Sequence, residues 1–141
     1  MTLTTFADAG AGSPPTGTTY QPGVCNIGHA EIARRRMAGH VGLAATVILL
    51  AILVVVGAPP ALRLLVALPA AGAASGYLQA WLHFCFGFGS RGLFNFGALG
   101  QERSVEDASA RARDRSRALQ IGTLAVAIGI AVGVAAALLP L

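Results

Sequence analysis

Apolar residues run unbroken by charge from Val41 to Gly57 (VGLAATVILLAILVVVG), where the Thr46 hydroxyl is the sole polar group. As a helix rising about 1.5 Å per residue, this run covers roughly 26 Å, close to the thickness of a bilayer core. A second run follows Pro59-Pro60 and reads ALRLLVALPAAGAASGYLQAW from Ala61 to Trp81. A third, from Ala118 to Leu141, is apolar apart from Gln120 and Thr123. The pattern predicts an all-α integral membrane chain with three transmembrane helices, at about 41–58, 61–82 and 118–139. The first two form an antiparallel hairpin turned at Gly57-Ala58-Pro59-Pro60, and the third is a C-terminal span. Pro69 is expected to kink the second helix rather than end it, since neighbouring groups in a membrane protein can satisfy the freed carbonyl. Gly72 and Gly76 define a small-residue face. Gly122, Gly129 and Gly133 define another, expected to pack against the hairpin or a second copy of the chain. Tyr77 and Trp81 fall where amphipathic aromatics collect at the membrane boundary.

The stretches between the spans are polar or rich in glycine. Residues 1–24 are expected to form a disordered tail, with residues 25–141 making up the membrane domain. The first 22 residues have neither a basic start nor an apolar core, so no signal peptide is expected there. Asn26 is the expected N-cap of a juxtamembrane helix, with Glu31 near its positive end. Residues 83–117 form the loop between the second and third spans. Phe84, Phe86, Phe88, Phe94 and Phe96 are interleaved there with glycines, which predicts an interfacial segment with its rings at the acyl boundary; a packed re-entrant turn is the alternative. Ser104 is the expected N-cap of the last helix, and Asp107 is spaced to pair with Arg111.

Composition agrees with membrane residence. The chain is 55% hydrophobic and 11% charged, against about 25% charged residues in a soluble domain. All ten basic side chains are arginine. Arg34, Arg35, Arg36, Arg91, Arg103, Arg111, Arg113, Arg115 and Arg117 lie on the side holding the N-terminus and the 83–117 loop, and only Arg63 lies opposite. The positive-inside rule then places the N-terminus and that loop in the cytoplasm and Leu141 outside. Because the arginines sit beside apolar spans, anionic lipid headgroups are the expected partner rather than nucleic acid.

Two constellations could carry metal chemistry. Cys25, His29, His83 and Cys85 offer thiolate and imidazole ligands of the kind zinc takes tetrahedrally, but their spacing matches no common zinc module. His40 and His83 are nearly equidistant from the Pro59-Pro60 turn and could serve as axial haem ligands. Gly87-Phe-Gly-Ser-Arg-Gly92 matches G-x-G-x-x-G in letters, yet it lacks the preceding strand that a dinucleotide site needs. The spans carry no mid-depth ionisable residue to suggest transport, and no nucleophile–base arrangement suggests hydrolysis. No cofactor is expected, and the chain does not read as an enzyme.

Cys25-Asn-Ile-Gly28, Glu31-Ile-Ala-Arg-Arg-Arg36 and the later GYLQAWLHFCFGFGSRG (76–92) resemble a group of small uncharacterised bacterial membrane proteins, over roughly residues 23–100. The resemblance implies no particular activity; a small multi-pass protein of the bacterial inner membrane is the expectation. The expected function is that of an accessory or structural subunit in a larger membrane assembly. A metal- or haem-binding protein and a self-assembling membrane-shaping protein are the alternatives.

Overall fold

Three helices long and apolar enough to cross a membrane span His29–Val55, Pro60–Leu82 and Ala108–Leu138. The structure, a computed structural model, describes residues 19–140. In chain order the elements are α1 (His29–Val55), α2 (Pro60–Arg63), a 3₁₀ turn (Leu64–Val66), α3 (Ala67–Leu82), α4 (Phe86–Arg91), β1 (Leu93–Phe94), β2 (Arg103–Ser104) and α5 (Ala108–Leu138). The described chain divides into two compact units. One comprises the residues up to Arg34 with Gln79–Ile121, the other Arg35–Leu78 with the chain from Gly122 on.

In the second unit the apolar helices meet through small residues. A Cβ added to Gly76 would lie 2.5 Å from the Gly39 nitrogen, and one on Gly42 would lie 2.6 Å from the Ala73 nitrogen. On α5, the same test puts Gly129 at 2.6 Å from the Ala71 Cβ and Gly133 at 2.8 Å from the Ala67 Cβ. Thus α3 touches α1 and α5 nearly backbone to backbone, the packing that membrane helices use where lipid supplies no hydrophobic drive. The predicted contact of the third span with the hairpin is present at Gly129 and Gly133; Gly122 is half-buried. Gly72 is not covered in the same way: apart from its chain neighbours and its own helix backbone, no atom of the described residues lies within 4 Å of where its Cβ would be.

The hairpin turn follows from its sequence. The Ala58 N–H donates to the Leu53 carbonyl and the Gly57 N–H to the Val54 carbonyl, with Gly57 at φ 69°. This is a Schellman end, which needs a left-handed residue that glycine supplies without strain. Pro59 and Pro60 then start α2, where a missing N–H costs nothing. The Pro69 effect lies one turn upstream. The ring excludes the usual hydrogen bond to the Leu65 carbonyl, and the chain runs through the 3₁₀ turn centred on Leu65. Arg63 is buried, and its guanidinium donates to the Leu139 carbonyl at 3.0 Å, just beyond the end of α5.

The first unit has an interior of its own. Ile27, Ile32, Ala80, Cys85 and Phe88 form one apolar cluster, with Leu93 against it. Tyr20, Phe94, Val105 and Ala110 form a second, joined by Phe96. The Tyr20 and Phe94 rings stack at 4.8 Å. β1 and β2 pair antiparallel, Leu93 opposite Ser104 and Phe94 opposite Arg103.

Several expectations are corrected here. The tail does not extend to residue 24, because Tyr20 is buried and Gln21 bridges to Cys25; residues 1–18 lie outside those described. The Phe/Gly segment is not an interfacial sheet of rings, since Phe84, Phe88 and Phe94 are buried in protein and only Phe86 is well exposed. Its glycines serve that packing: a Cβ on Gly89 would lie 2.6 Å from the Phe84 ring. The loop shortens as well, because α5 begins at Ala108, so Arg111 to Arg117 are helical.

The helix caps are also reassigned. Asn26 does not cap α1, which starts at His29, and Ser104 lies in β2. Asp107 caps α5, its Oδ2 accepting from the Ala110 N–H (2.9 Å) and the Ser109 hydroxyl (2.7 Å). Arg111 does not bridge to Asp107; its guanidinium donates to the Val105 and Glu106 carbonyls. The Ser109 hydroxyl first, then the Ala110 N–H, hold the Asp107 carboxyl below its ordinary range, with smaller help from Arg113 and Arg111. A carboxyl depressed on folding stabilises above its unfolded value and loses that contribution as pH falls through the folded one. Acidification below about pH 4 should therefore fray the first turn of α5. Protection of the Ala110 amide, relative to an unstructured amide at the same pH, should fall with acid in the wild type but not in Asp107→Asn, which caps without titrating.

Candidate functional site

The buried polar residues of the first unit centre on Asn26 and Asn95. Asn26 is fully buried and reaches both backbone groups of Cys85. Its Oδ1 accepts from the Cys85 N–H at 2.6 Å, and its Nδ2 donates to the Cys85 carbonyl at 3.2 Å. Its own backbone N–H donates to the His83 carbonyl, and its carbonyl accepts from the Asn95 N–H. Asn95, also buried, donates from Nδ2 to Glu31 Oε2 (3.2 Å) and to the Ala98 carbonyl (2.9 Å), while its Oδ1 accepts from the Gly97 N–H. Gly28 completes the join, its N–H donating to the Asn95 carbonyl and its Cα facing Phe96 too closely for a Cβ. The segments CNIG, HFCF and FNFG are therefore cross-stitched through two asparagines. Amides suit this role because each offers a donor and an acceptor that can replace missing sheet partners.

A second polar contact closes the unit. Asp114 on α5 is buried, and its carboxylate accepts from the Tyr20 hydroxyl (2.7 Å) and the Gly23 N–H (2.7 Å). Burial first, then the bond to Asp114, raises the Tyr20 phenol well above its usual range, so it remains a donor. The signal in the sequence was a single acid among four arginines between 111 and 117, which the charge count passed over.

The predicted metal set is not assembled. Cys25 is buried, its thiol aimed at the Ile27 carbonyl at 3.9 Å, and burial raises its pKa. A thiol held protonated is a poor ligand, since the thiolate binds metal. Cys85 is buried with its sulfur accepting from the Phe88 N–H at 3.4 Å, whereas His29 and His83 are exposed. Among the described residues no group of three or more His, Cys, Asp or Glu side chains is placed to hold a metal ion. Of the haem pair, His40 lies in the second unit, with Nδ1 hydrogen-bonded to the Tyr77 hydroxyl at 2.6 Å. His83 lies in the first unit, in a left-handed conformation (φ 56°) at the end of α3. The G-x-G-x-x-G letters fall on α4 and its left-handed cap, Gly92.

The arginines give a different picture. Arg34, Arg36, Arg91, Arg113 and Arg115 are exposed; Arg35, Arg111 and Arg117 are half-buried. Arg91 folds back on its own helix, donating to the Gly87 carbonyl and lying over the Phe88 ring. Arg117 donates from Nη1 to Gln120 Oε1 at 3.3 Å, and its solvent-shielded Nε–H has no hydrogen-bond partner among the described residues.

Comparison with known proteins finds no matching family model, no matching curated protein and no matching solved structure.

Proposed function

We propose that this chain is a small accessory or structural subunit of a larger membrane assembly. It is seated in the bacterial inner membrane, with its N-terminal segment and the 83–117 region cytoplasmic and its C-terminus outside. Arginine counting supports the orientation, because nine of the ten fall on one side of the spans. The first unit supports a structural role, since its buried amides and carboxylates bind one another and the backbone.

Gly72 carries the reading. Every other span glycine named above as a close contact (39, 42, 76, 129 and 133) is consumed in contact within the chain. Gly72 faces outward instead, and Leu68, one turn earlier, is 74% exposed. A bare backbone on the outer face of a membrane helix permits another helix to approach closely. Affinity capture of tagged chain from mildly solubilised membranes should recover a defined partner. Gly72→Leu should lose it while leaving the melting temperature unchanged, because nothing lies within reach of the new side chain. Recovery of the same proteins with Gly72→Leu would count against the docking face.

The same face fits a second copy of the chain, which is the self-assembling reading. Capture of an untagged copy by a tagged one, with no other protein present, selects that alternative.

A further inference from the structure

One flank of α5 carries two cations just before the apolar run begins. Arg113 and Arg117 are four residues apart and Gln120 three further on, so all three share a side of the helix. Two like charges at this spacing repel one another, which costs stability unless an anion lies between them. Asp114 is the sole acid on α5; its carboxylate is engaged by Tyr20 and Gly23 and, like Asp107, it attracts Arg113, which leaves Arg117 as the cation the acids do not serve. Arg117 is half-buried, and its shielded Nε–H lacks a partner among the described residues. A guanidinium carries five N–H donors in a planar fork, and one hydrogen bond, to Gln120, is formed. That bond takes the Gln120 carbonyl oxygen and leaves its amide N–H₂ group as a further donor.

We propose that Arg113, Arg117 and Gln120 form a binding site for the phosphate of an anionic phospholipid headgroup. The donors match phosphate chemistry, the guanidinium fork pairing with two phosphate oxygens. Their position selects a lipid over a soluble anion. Arg117 immediately precedes Ala118, where the apolar run starts, so the acyl chains of a lipid whose phosphate is held there can lie along the apolar stretch of helix that follows. The site depends on membrane insertion of α5 and not on the chain being a subunit of an assembly.

The test uses full-length chain reconstituted into vesicles of equal parts phosphatidylglycerol and phosphatidylcholine. The protein is re-extracted in mild detergent and its retained phospholipid identified by mass spectrometry. Wild-type protein should retain phosphatidylglycerol over phosphatidylcholine by on the order of tenfold. Arg117→Gln should abolish the preference, Arg113→Gln should reduce it, and Arg117→Lys should keep part of it. Arg103→Gln, an exposed arginine on β2, should retain it in full. Arg113 is exposed, so Arg113→Gln reports on the site even if Arg117→Gln fails to fold, a point checked by circular dichroism. Equal retention of the two lipids by wild type would overturn the proposal. So would an unchanged preference in Arg113→Gln, or an equal loss in Arg103→Gln, which would indicate diffuse attraction. Displacement of the lipid by millimolar inorganic phosphate would assign the site to a soluble anion and overturn it likewise.

Discussion

Gly76→Ala should destabilise the packing of α1 on α3 by about 3 kcal/mol, near the upper end of overpacking costs. The added methyl would lie 2.5 Å from the Gly39 nitrogen and 2.8 Å from both the Arg35 carbonyl oxygen and the Gly39 Cα. All three are backbone atoms, so no rotamer change relieves the clash and the helices must separate. Separation also weakens neighbouring contacts, because Gly39 lies against the Tyr77 ring and Gly42 against Ala73. Unfolding in mixed micelles with increasing denaturing detergent measures the loss. Gly72→Ala is the matched control. Its methyl meets nothing within 4 Å, and replacing glycine in a helix reduces the freedom lost on folding, so the change should lie within about 1 kcal/mol of zero. Equal losses for the two variants would contradict the close approach at Gly39.

Asn26→Ala should cost a similar amount in the first unit, about 3 kcal/mol, by a different mechanism. The side chain satisfies both the N–H and the carbonyl of Cys85 in a buried place. Its removal leaves two backbone groups without partners, each worth about 1–3 kcal/mol when stranded away from water. The Cys85 amide should then exchange with solvent much faster than in wild type, a local readout that a generic loss of stability reproduces only at the global unfolding rate. Asn26→Asp sharpens the test. Its carboxylate can still accept from the Cys85 N–H, but it turns an oxygen toward the Cys85 carbonyl. Burial raises the folded-state pKa of such a carboxyl. The variant should therefore be most stable in acid, where the protonated group can donate, and lose stability as pH rises above about 4. Stability independent of pH in Asn26→Asp would show that the side chain does not face that carbonyl.

The two predictions divide along the line between what was readable in the sequence and what was not. The membrane helices were readable because lipid imposes one requirement on a spanning segment, a run of apolar side chains long enough to cross. Val41–Gly57 meets that requirement in one dimension, with no knowledge of neighbours. The hairpin turn was readable for a similar reason, since glycine and paired prolines act through their own backbone. Gly76, Gly129 and Gly133 were recognised as contact residues by spacing, but spacing did not separate them from Gly72. All four present the same absent side chain, and only the position of the next helix decides which are covered. Gly39 and Gly42 went unnoticed because a long apolar run hides which of its faces is inward.

The first unit was the less legible part. Phenylalanines among glycines read equally well as rings on a membrane surface or as a core packed around a tight backbone. Burial of Phe88 and Phe94 depends on Ile27, Ile32, Tyr20 and Val105, which approach from distant parts of the chain. Asn26 and Asn95 are 69 positions apart in the chain, and neither carries a local sign that it will bond the other's segment. The cysteines and histidines illustrate the same limit, because ligand types are written in the sequence while convergence is not.

By itself, then, the sequence determined the three apolar helices, their breaks and the bias of arginines to one side of them. These are local or additive properties, each residue contributing without reference to a partner far along the chain. Tertiary structure alone decided which glycines are covered, which phenylalanines are core, and that two asparagines and Asp114 tie the first unit together. Those outcomes depend on distances between residues remote in sequence, which no local pattern of side chains encodes.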